Sequence, residues 1–355
     1  MPKVSIILPH YNHGNVIEEA INSITDQPFD DYEIILIDDT SNDGSIDIIK
    51  KLCSENGKIK LFENNTNLGT AKSLNLGVEE ASGEYMVCRA ADDLTMPVFF
   101  ETAVSLLDKY PQAGMCTGEV AFFSETSTDA KIETLALSDK PEYFSPEVLV
   151  SEWKSDYNIP SCSSMFRREI FKKAGKYIPN LEWHSDWFAN MIIAFRSGLV
   201  FCPEVFTKFR LSSNSFGNSK LMNKPIVDKI YTHLLTELKD NYRDTLPAFM
   251  KSGALDLFYP GIVDTYFSHE KLWSIEISNT LQKSISKWNK RNEGESDNYG
   301  ITRNIRDVLS ENENKLSQLF SGNKKINIVA YGAGLHTEKL LQVWNEFEFP
   351  AISTI

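Results

Sequence analysis

Apolar residues along the chain alternate between short unbroken runs and stripes at helical spacing. Residues 4–8 (VSIIL), 33–37 (EIILI), 58–62 and 84–88 (EYMVC) are the runs, and each is short enough for a strand buried on both faces. Between them, Val16, Ile17, Ala20, Ile21 and Ile24 predict a helix with Asn15 as its N-cap, Ile46, Ile49 and Leu52 a second, and Ala71, Leu74, Leu76 and Val78 a third that ends near Gly83. Strands and helices alternating in this way predict right-handed βαβ units and a mainly parallel sheet.

Further along, Phe99, Phe100, Ala103, Val104, Leu106 and Leu107 form the apolar face of a helix over 97–110, and a strand is expected over 113–123. Residues 124–145 are polar and read as a loop. A helix is expected over 187–196 and a strand with a turn over 200–209. From 225 to 288 the pattern turns helical: Ile226, Ile230, Leu234, Leu235 and Leu238 make one stripe, and Leu272, Trp273, Ile275, Ile277, Leu281 and Ile285 another. Residues 289–302 read as a linker and 303–320 as a further helix. Residues 326–331 (INIVAY) enter Gly332-Ala333-Gly334 and a helical run over 337–344. That GxG has Thr337 where a third glycine would stand, so it is a weak cofactor signature. One βα unit cannot bury its own faces, so the chain is expected to continue into a second α/β domain beyond 355.

Charge and composition narrow the function. A net charge of −13 argues against a nucleic-acid partner, which needs a basic face. A local basic patch for peripheral membrane contact stays open. No apolar run approaches the ~18 residues that span a bilayer, and the N-terminal segment lacks the charged-then-apolar pattern of a leader. The five cysteines are scattered, without CxxC or metal spacing, and read as reduced thiols. Together these features predict a cytoplasmic protein, with the inner face of the membrane as an alternative working surface.

The candidate chemistry lies where the runs end. Pro9, His10, Tyr11 and Asn12 follow the first, Asp38 and Asp39 the second, Asp92 and Asp93 the fourth. Carboxyl ends of strands in open α/β sheets are where ligands bind. Adjacent acids need a cation or hydrogen-bond donors to offset their repulsion, and a hard divalent cation carrying phosphates uses few carboxylates. Asp92 and Asp93 alone are equally explained as a capped turn, and Asp39 alone is better explained as one; the convergence of three strand ends on one sheet edge favours a nucleotide-diphosphate site. A later cluster, residues 182–187 (EWHSDW), offers Asp186, which would also serve as the N-cap of the following helix, with Glu182 and His184 as second choices for a base. Trp183 and Trp187 could stack on a sugar or belong to the core.

These segments together resemble family 2 glycosyltransferases with the GT-A fold: VSIILPHYN at 4–12, IILIDDTSNDGS at 34–45, NLGTAKSLNLG at 67–77, GEYMVCRAADDLTMP at 83–97 and SDWFA at 185–189. The resemblance covers residues 1 to about 215. It implies a metal-dependent, inverting transfer of a sugar from a nucleotide diphosphate, with a UDP-sugar as donor and a glycan, lipid-linked or protein-linked hydroxyl as acceptor, in surface polysaccharide or glycan synthesis. By position it implies that Pro9, Tyr11 and Asn12 line the nucleotide, that Asp39 meets uracil or ribose, and that Asn67, Gly69 and Lys72 lie on the donor side. It further implies that Asp92 and Asp93 hold Mn²⁺ or Mg²⁺ and the diphosphate, that Asp186 is the general base, and that Arg210 contacts phosphate. One departure stands out: Ala90 replaces the first acid of the family's DxD. The implied organisation is a catalytic domain over 1–215, a helical extension over 216–320 able to hold acceptor, membrane or a second copy of the chain, and an incomplete Rossmann-like unit over 321–355. A non-catalytic nucleotide-sugar-binding module is the alternative, and the retention of Asp186 beside Asp92 and Asp93 speaks against it. A nucleotidyltransferase would carry a basic glycine-rich loop after the first strand, and PHYNHGN has no such lysine.

Overall fold

A computed structural model describes residues 1–124, 127–133, 135–153, 158–211, 223–258, 261–272 and 277. The chain divides into two compact units, Met1–Ser252 and Gly253–Ile355. In the first, β1 (Val4–His10), β2 (Tyr32–Asp38), β3 (Ile59–Glu63) and β4 (Tyr85–Cys88) alternate with α1 (Ile17–Thr25), α2 (Ser45–Glu55) and α3 (Thr70–Glu80). β5 (Leu94–Thr95), α4 (Phe99–Lys109), β6 (Met115–Ser124), β7 (Ser127–Glu133), β8 (Glu142–Phe144) and α5 (Pro146–Glu152) follow. β9 (Ser164–Arg167), α6 (Arg168–Lys173), α7 (Ser185–Ser197), β10 (Leu199–Arg210), α8 (Lys224–Asp240) and α9 (Leu246–Ser252) complete it. The described part of the second unit holds α10 (Gly261–Ser268) between two 3-10 turns. No helix of the described residues is long and apolar enough to cross a membrane.

The expected α/β architecture is present. The sheet runs β3-β2-β1-β4-β9-β6-β10-β5, with β7 paired to β6 and β8 to β10. β3, β2, β1 and β4 are parallel neighbours, and Val4, Ile6, Ile7, Leu8 and Ile34 to Ile37 are fully buried between helical layers. β-Branched residues fit such a two-sided buried surface. β9 runs antiparallel to both β4 and β6, so the far half of the sheet is mixed. The chain leaves β1 towards β2 and β3, then returns over α3 to place β4 on the other side of β1. Strand order therefore reverses at β1, which opens a crevice above its carboxyl end.

Three local expectations differ. On α3 the buried residues are Ser73, Gly77 and Val78, while Leu76 is 43% exposed. Apolar residues at 74, 76 and 78 cannot share one face of a 3.6-residue helix, whereas 73 and 77 can. A Cβ at Gly77 would run into Ile7, so the absence of a side chain there sets how closely α3 lies on β1. At α1 the N-cap is Val16 and no side chain caps the helix; His13 O accepts the Val16 and Ile17 amides instead. The polar stretch 124–145 holds β7 and β8, which extend the sheet at its margins, where polar sequence is tolerated. The expected linker at 289–302, the helix at 303–320, the glycine-turn unit from 326, and Trp273, Ile275, Leu281 and Ile285 lie outside the described residues.

At the opposite, amino-terminal edge, Glu33 staples β1, β2 and the turn before β4. It accepts hydrogen bonds from Ser5 Oγ (2.7 Å), Lys60 Nζ (2.7 Å), and the Ser82 amide (2.8 Å) and hydroxyl (2.7 Å). Burial alone would raise its pKa, but these donors outweigh it and hold the carboxyl at about 2, against 4.5 ordinarily. A depressed folded-state value means stability that is present above pH 4.5 and lost as pH falls towards 2. Glu33→Gln is expected to cost about 1–3 kcal/mol near neutrality, and the gap from wild type in urea unfolding should narrow steadily between pH 4.5 and 2.

Candidate active site

The crevice gathers the ends of β2, β1 and β4. Asp39 follows β2 and is 4% exposed. Its amide donates to His10 O (2.8 Å), tying β2 to β1. Its Oδ1 accepts from Asn64 Nδ2 and the Leu68 amide, and its Oδ2 from the Gly69 amide, all at 2.8 Å. Asn67 Nδ2 donates to Asp39 O at 3.2 Å. Gly69 turns the chain into α3 at φ +82°, a left-handed conformation that glycine adopts readily. Asp39 therefore fixes the 64–69 loop, and Oδ2 keeps capacity for one further donor. Asn12 and Thr40, at facing strand ends, also have positive φ (56° and 67°). Asn12 is braced by Ser41 Oγ and the Asn42 amide; a β-branched residue such as Thr40 is an outlier there. Tyr11 stands 46% exposed beside them, and Pro9 is half-buried opposite Ile37. Lys72 is exposed in the first turn of α3.

Asn64 and Asp43 are organising residues that the sequence reading passed over. Asp43 accepts from the Gly14 amide (2.9 Å) and from the Ser45 amide and hydroxyl, and these bonds outweigh burial to hold its carboxyl at about 2. His10 is buried against Ser45 Oγ (2.8 Å), and burial lowers its pKa.

Beyond β4 the chain continues as Arg89-Ala90-Ala91-Asp92-Asp93. Asp92 is half-buried and no described donor reaches its carboxylate. Asp93 is 2% exposed: Oδ1 accepts the Arg210 amide (3.0 Å), and Oδ2 is buried with no partner. Burial pushes its carboxyl up to about 7, against the pull of the Arg89 guanidinium. Arg210 sits differently from a free phosphate-binding side chain. Its Nε donates to Asp92 O (2.9 Å) and one Nη pairs with Glu19 (2.5 Å), so it latches the end of β10 onto the acidic loop. Arg89 was missed because it reads as a break after an apolar run. That break, a charge directly after four buried residues, was the available signal.

Asp186 lies in the first turn of α7, which begins at Ser185; it is not the cap, and its Oδ1 accepts the Trp187 amide (2.7 Å). It is partly exposed, yet enclosed enough that burial raises its pKa. It stands within electrostatic reach of Cys88, the last residue of β4, and of Cys162 and Tyr177. Asn75 of α3 exchanges two hydrogen bonds with the Tyr177 backbone (2.7 and 3.0 Å), which ties α3 to the segment leading to Asp186. Glu182 takes φ 49°, ψ −123°, a kink just before Trp183 and His184. His184 stacks on Tyr231 of α8 with centroids 5.9 Å apart, and burial pushes its pKa down to about 4, so it is neutral at pH 7. Trp183 is half-buried, whereas Trp187 is core, edge-on to Phe249 at 5.8 Å.

Among the described residues, no trio of His, Cys, Asp or Glu gathers at metal-binding distance. The acids at this edge fit a divalent cation whose other ligands come from a diphosphate and water, since magnesium-like ions need only one or two carboxylates.

Residues 5–175 match the model of glycosyl transferase family 2. A glycosyltransferase of Haemophilus influenzae is 33% identical over 156 residues, 42% of this chain and 62% of its own. The GalNAc(5)-diNAcBac-PP-undecaprenol beta-1,3-glucosyltransferase of Campylobacter jejuni is 39% identical over 94 residues, 26% of this chain and 30% of its own. Of three curated relatives, one from Bacillus subtilis and two from Haemophilus influenzae, the chain spans 40%, 62% and 33% of the length. The fold is that of the Staphylococcus aureus TarS 1–349 complex with UDP-GlcNAc (TM-score 0.55, 13% identity, 92% of this chain and 95% of that one). It is also that of the Pyrobaculum calidifontis mannosyltransferase PcManGT with GDP-Man and Mn²⁺ (TM-score 0.50, 19% identity, 81% and 80%). The architecture is the GT-A fold, and the likeness to glycosyl transferase family 2 covers residues 5–175.

Asp39→Ala would strand the Asn64, Leu68 and Gly69 donors. It is expected to cost about 2–3 kcal/mol, read from urea unfolding of the otherwise intact chain.

Proposed function

We propose that this chain is an inverting glycosyltransferase that moves a sugar from a nucleotide diphosphate, UDP in the first instance, to a hydroxyl of a glycan or lipid-linked acceptor in surface-glycan synthesis. The observation that supports it most is the company of three acids with different states of satisfaction. Asp39 is held by protein donors, Asp92 is left without one, and Asp186 lies within electrostatic reach of the end of β4 with a single short amide contact. Relatives named for undecaprenol-linked and UDP-sugar chemistry support the donor and acceptor classes.

In this reading Tyr11 and Asn12 border the base, Asp39 receives a donor from uracil or ribose on its remaining Oδ2 capacity, and Asn67, Gly69 and Lys72 lie on the donor side. Asp92 is the outward acid on the metal, with Asp93 behind it. A bound Mn²⁺ or Mg²⁺ would offset charge on the departing diphosphate. Asp186 takes the acceptor hydroxyl's proton as that oxygen bonds to C1 from the face opposite the breaking C1–O bond, and the bonding pair leaves with the diphosphate. A single displacement inverts the anomeric centre. Enclosure that raises the Asp186 pKa makes it a stronger base than a solvated aspartate. Arg210 acts here through the acidic loop it latches.

The deciding experiment is a donor screen with Mn²⁺ or Mg²⁺, reading release of UDP, GDP or dTDP. Turnover with one donor is expected; no turnover and no nucleotide binding by calorimetry would defeat the enzyme reading in favour of a non-catalytic module.

Asp186→Asn should lower transfer by about a hundredfold to ten-thousandfold while leaving Mn²⁺–UDP affinity unchanged; loss of binding instead would give Asp186 a structural role. A base acts deprotonated, so the wild-type rate should fall as pH drops, with its acid limb displaced above the ordinary aspartate value of 3.8.

A further inference from the structure

The position after β4 carries a buried cation that the reading above leaves without a task. Arg89 is 2% exposed and ranks among the largest side chains with no access to solvent. Its amide bonds to Ile7 O (2.9 Å), which fixes it at the end of the β1–β4 ladder. Its Nη1 donates to Cys162 O and to Thr207 Oγ1, so one guanidinium group joins β4, the turn before β9, and β10. Thr207 Oγ1 in turn donates to Cys162 O at 2.7 Å, which closes the knot.

The other guanidinium nitrogens, Nε and Nη2, are buried without any hydrogen-bond partner. Asp93 Oδ2 is buried and unpartnered as well, four residues on in the same loop. The two groups attract each other without forming a close ion pair. An unpaired buried charge is costly, and an unpaired charge of each sign at one place is tolerated because each offsets the other. Asp93 is further fixed through the Arg210 amide, and Arg210 Nε holds Asp92 O. Hydrogen bonds thus run from Asp93 through Arg210 to the backbone of Asp92, with Arg89 acting on Asp93 through electrostatic attraction.

We propose that Arg89 is a positioning residue: its guanidinium, pinned under the acidic loop by Cys162 O and Thr207 Oγ1, is the fixed counter-charge that keeps Asp93 inside the protein and so leaves Asp92 to face the metal and diphosphate. Ala90, which removes an acid from this edge, fits the same arrangement, because the loop carries one fewer negative charge for Arg89 to balance. The metal-facing half of this inference rests on the glycosyltransferase reading, whereas the Arg89–Asp93 coupling does not.

The test uses the full chain with Arg89→Met, Arg89→Lys, Asp93→Asn and the double variant Arg89→Met/Asp93→Asn. Without nucleotide or metal, urea unfolding of the four variants forms a double-mutant cycle. The double variant is expected to have a midpoint above that of Arg89→Met, since removing Asp93 as well leaves no buried charge unbalanced. Independent, additive losses would overturn the coupling. Calorimetry with UDP and Mn²⁺ then reads positioning. Arg89→Met, where folded, is expected to bind about 10–100-fold more weakly, as for other residues that orient a ligand carboxylate, and Arg89→Lys to recover most of that loss. Wild-type affinity in Arg89→Met would overturn the positioning role. If wild-type protein bound no nucleotide at all, the glycosyltransferase reading would fall while the unfolding cycle still decided the coupling.

Discussion

The reversal of strand order at β1 is the constraint on which the rest depends. Because β2 and β4 flank β1 and all three run parallel, three carboxyl ends meet at one edge with helices diverging on either side. A crevice there follows from topology before any side chain is chosen. What the sequence adds is acid at each lip, and acids crowded in one crevice must be neutralised one by one.

The neutralisation is uneven, and the unevenness separates scaffold from chemistry. Asp39 and Asp43 accept three hydrogen bonds each from amides and side chains, which fixes two loops and the start of α2 and α3. Asp93 gains an amide and a buried guanidinium nearby, and it turns inward. Asp92 keeps its lone pairs, and Asp186 keeps most of its own. A carboxylate whose oxygens are saturated stabilises the fold; one left unsaturated at a crevice is available to a cation or a proton. By this criterion, adjacent acids of identical type divide cleanly into different roles.

How much of this could be read from residues follows from the same physics. The parallel strands were legible because runs such as VSIIL and EIILI have no polar face to spare, and the acids ending them were legible because they break those runs. Burial on α3 was legible only at Val78, since Leu76 falls on the outer side of the helix while Ser73 and Gly77 pack beside Val78. β7 and β8 were hidden because marginal strands bury little and may stay polar. Arg89 was hidden for the opposite reason: its partners are a carbonyl and a threonine hydroxyl distant in sequence, and no local pattern announces them. The electrostatic reach of Asp186 to Cys88 at the end of β4 is likewise long-range, and no local pattern announces it.

The helix that carries Asp186 also draws support from chain beyond β10. Trp187, Phe188 and Phe195 of α7 all meet Phe249 of α9, and Phe188 meets Tyr242 edge-on at 5.0 Å. Tyr242 Oη donates to Ala174 O, and Arg196 grips Asp244 with two 2.8 Å bonds. Tyr231 of α8 underlies His184, two residues before Asp186. β6 packs on α7, Phe249 of α9 lies against its aromatic residues, and α8 packs on the turn before it. In the proposed transfer, a carboxylate that meets an acceptor hydroxyl within hydrogen-bond reach tolerates little wobble, so the packing around α7 would set the precision of the site.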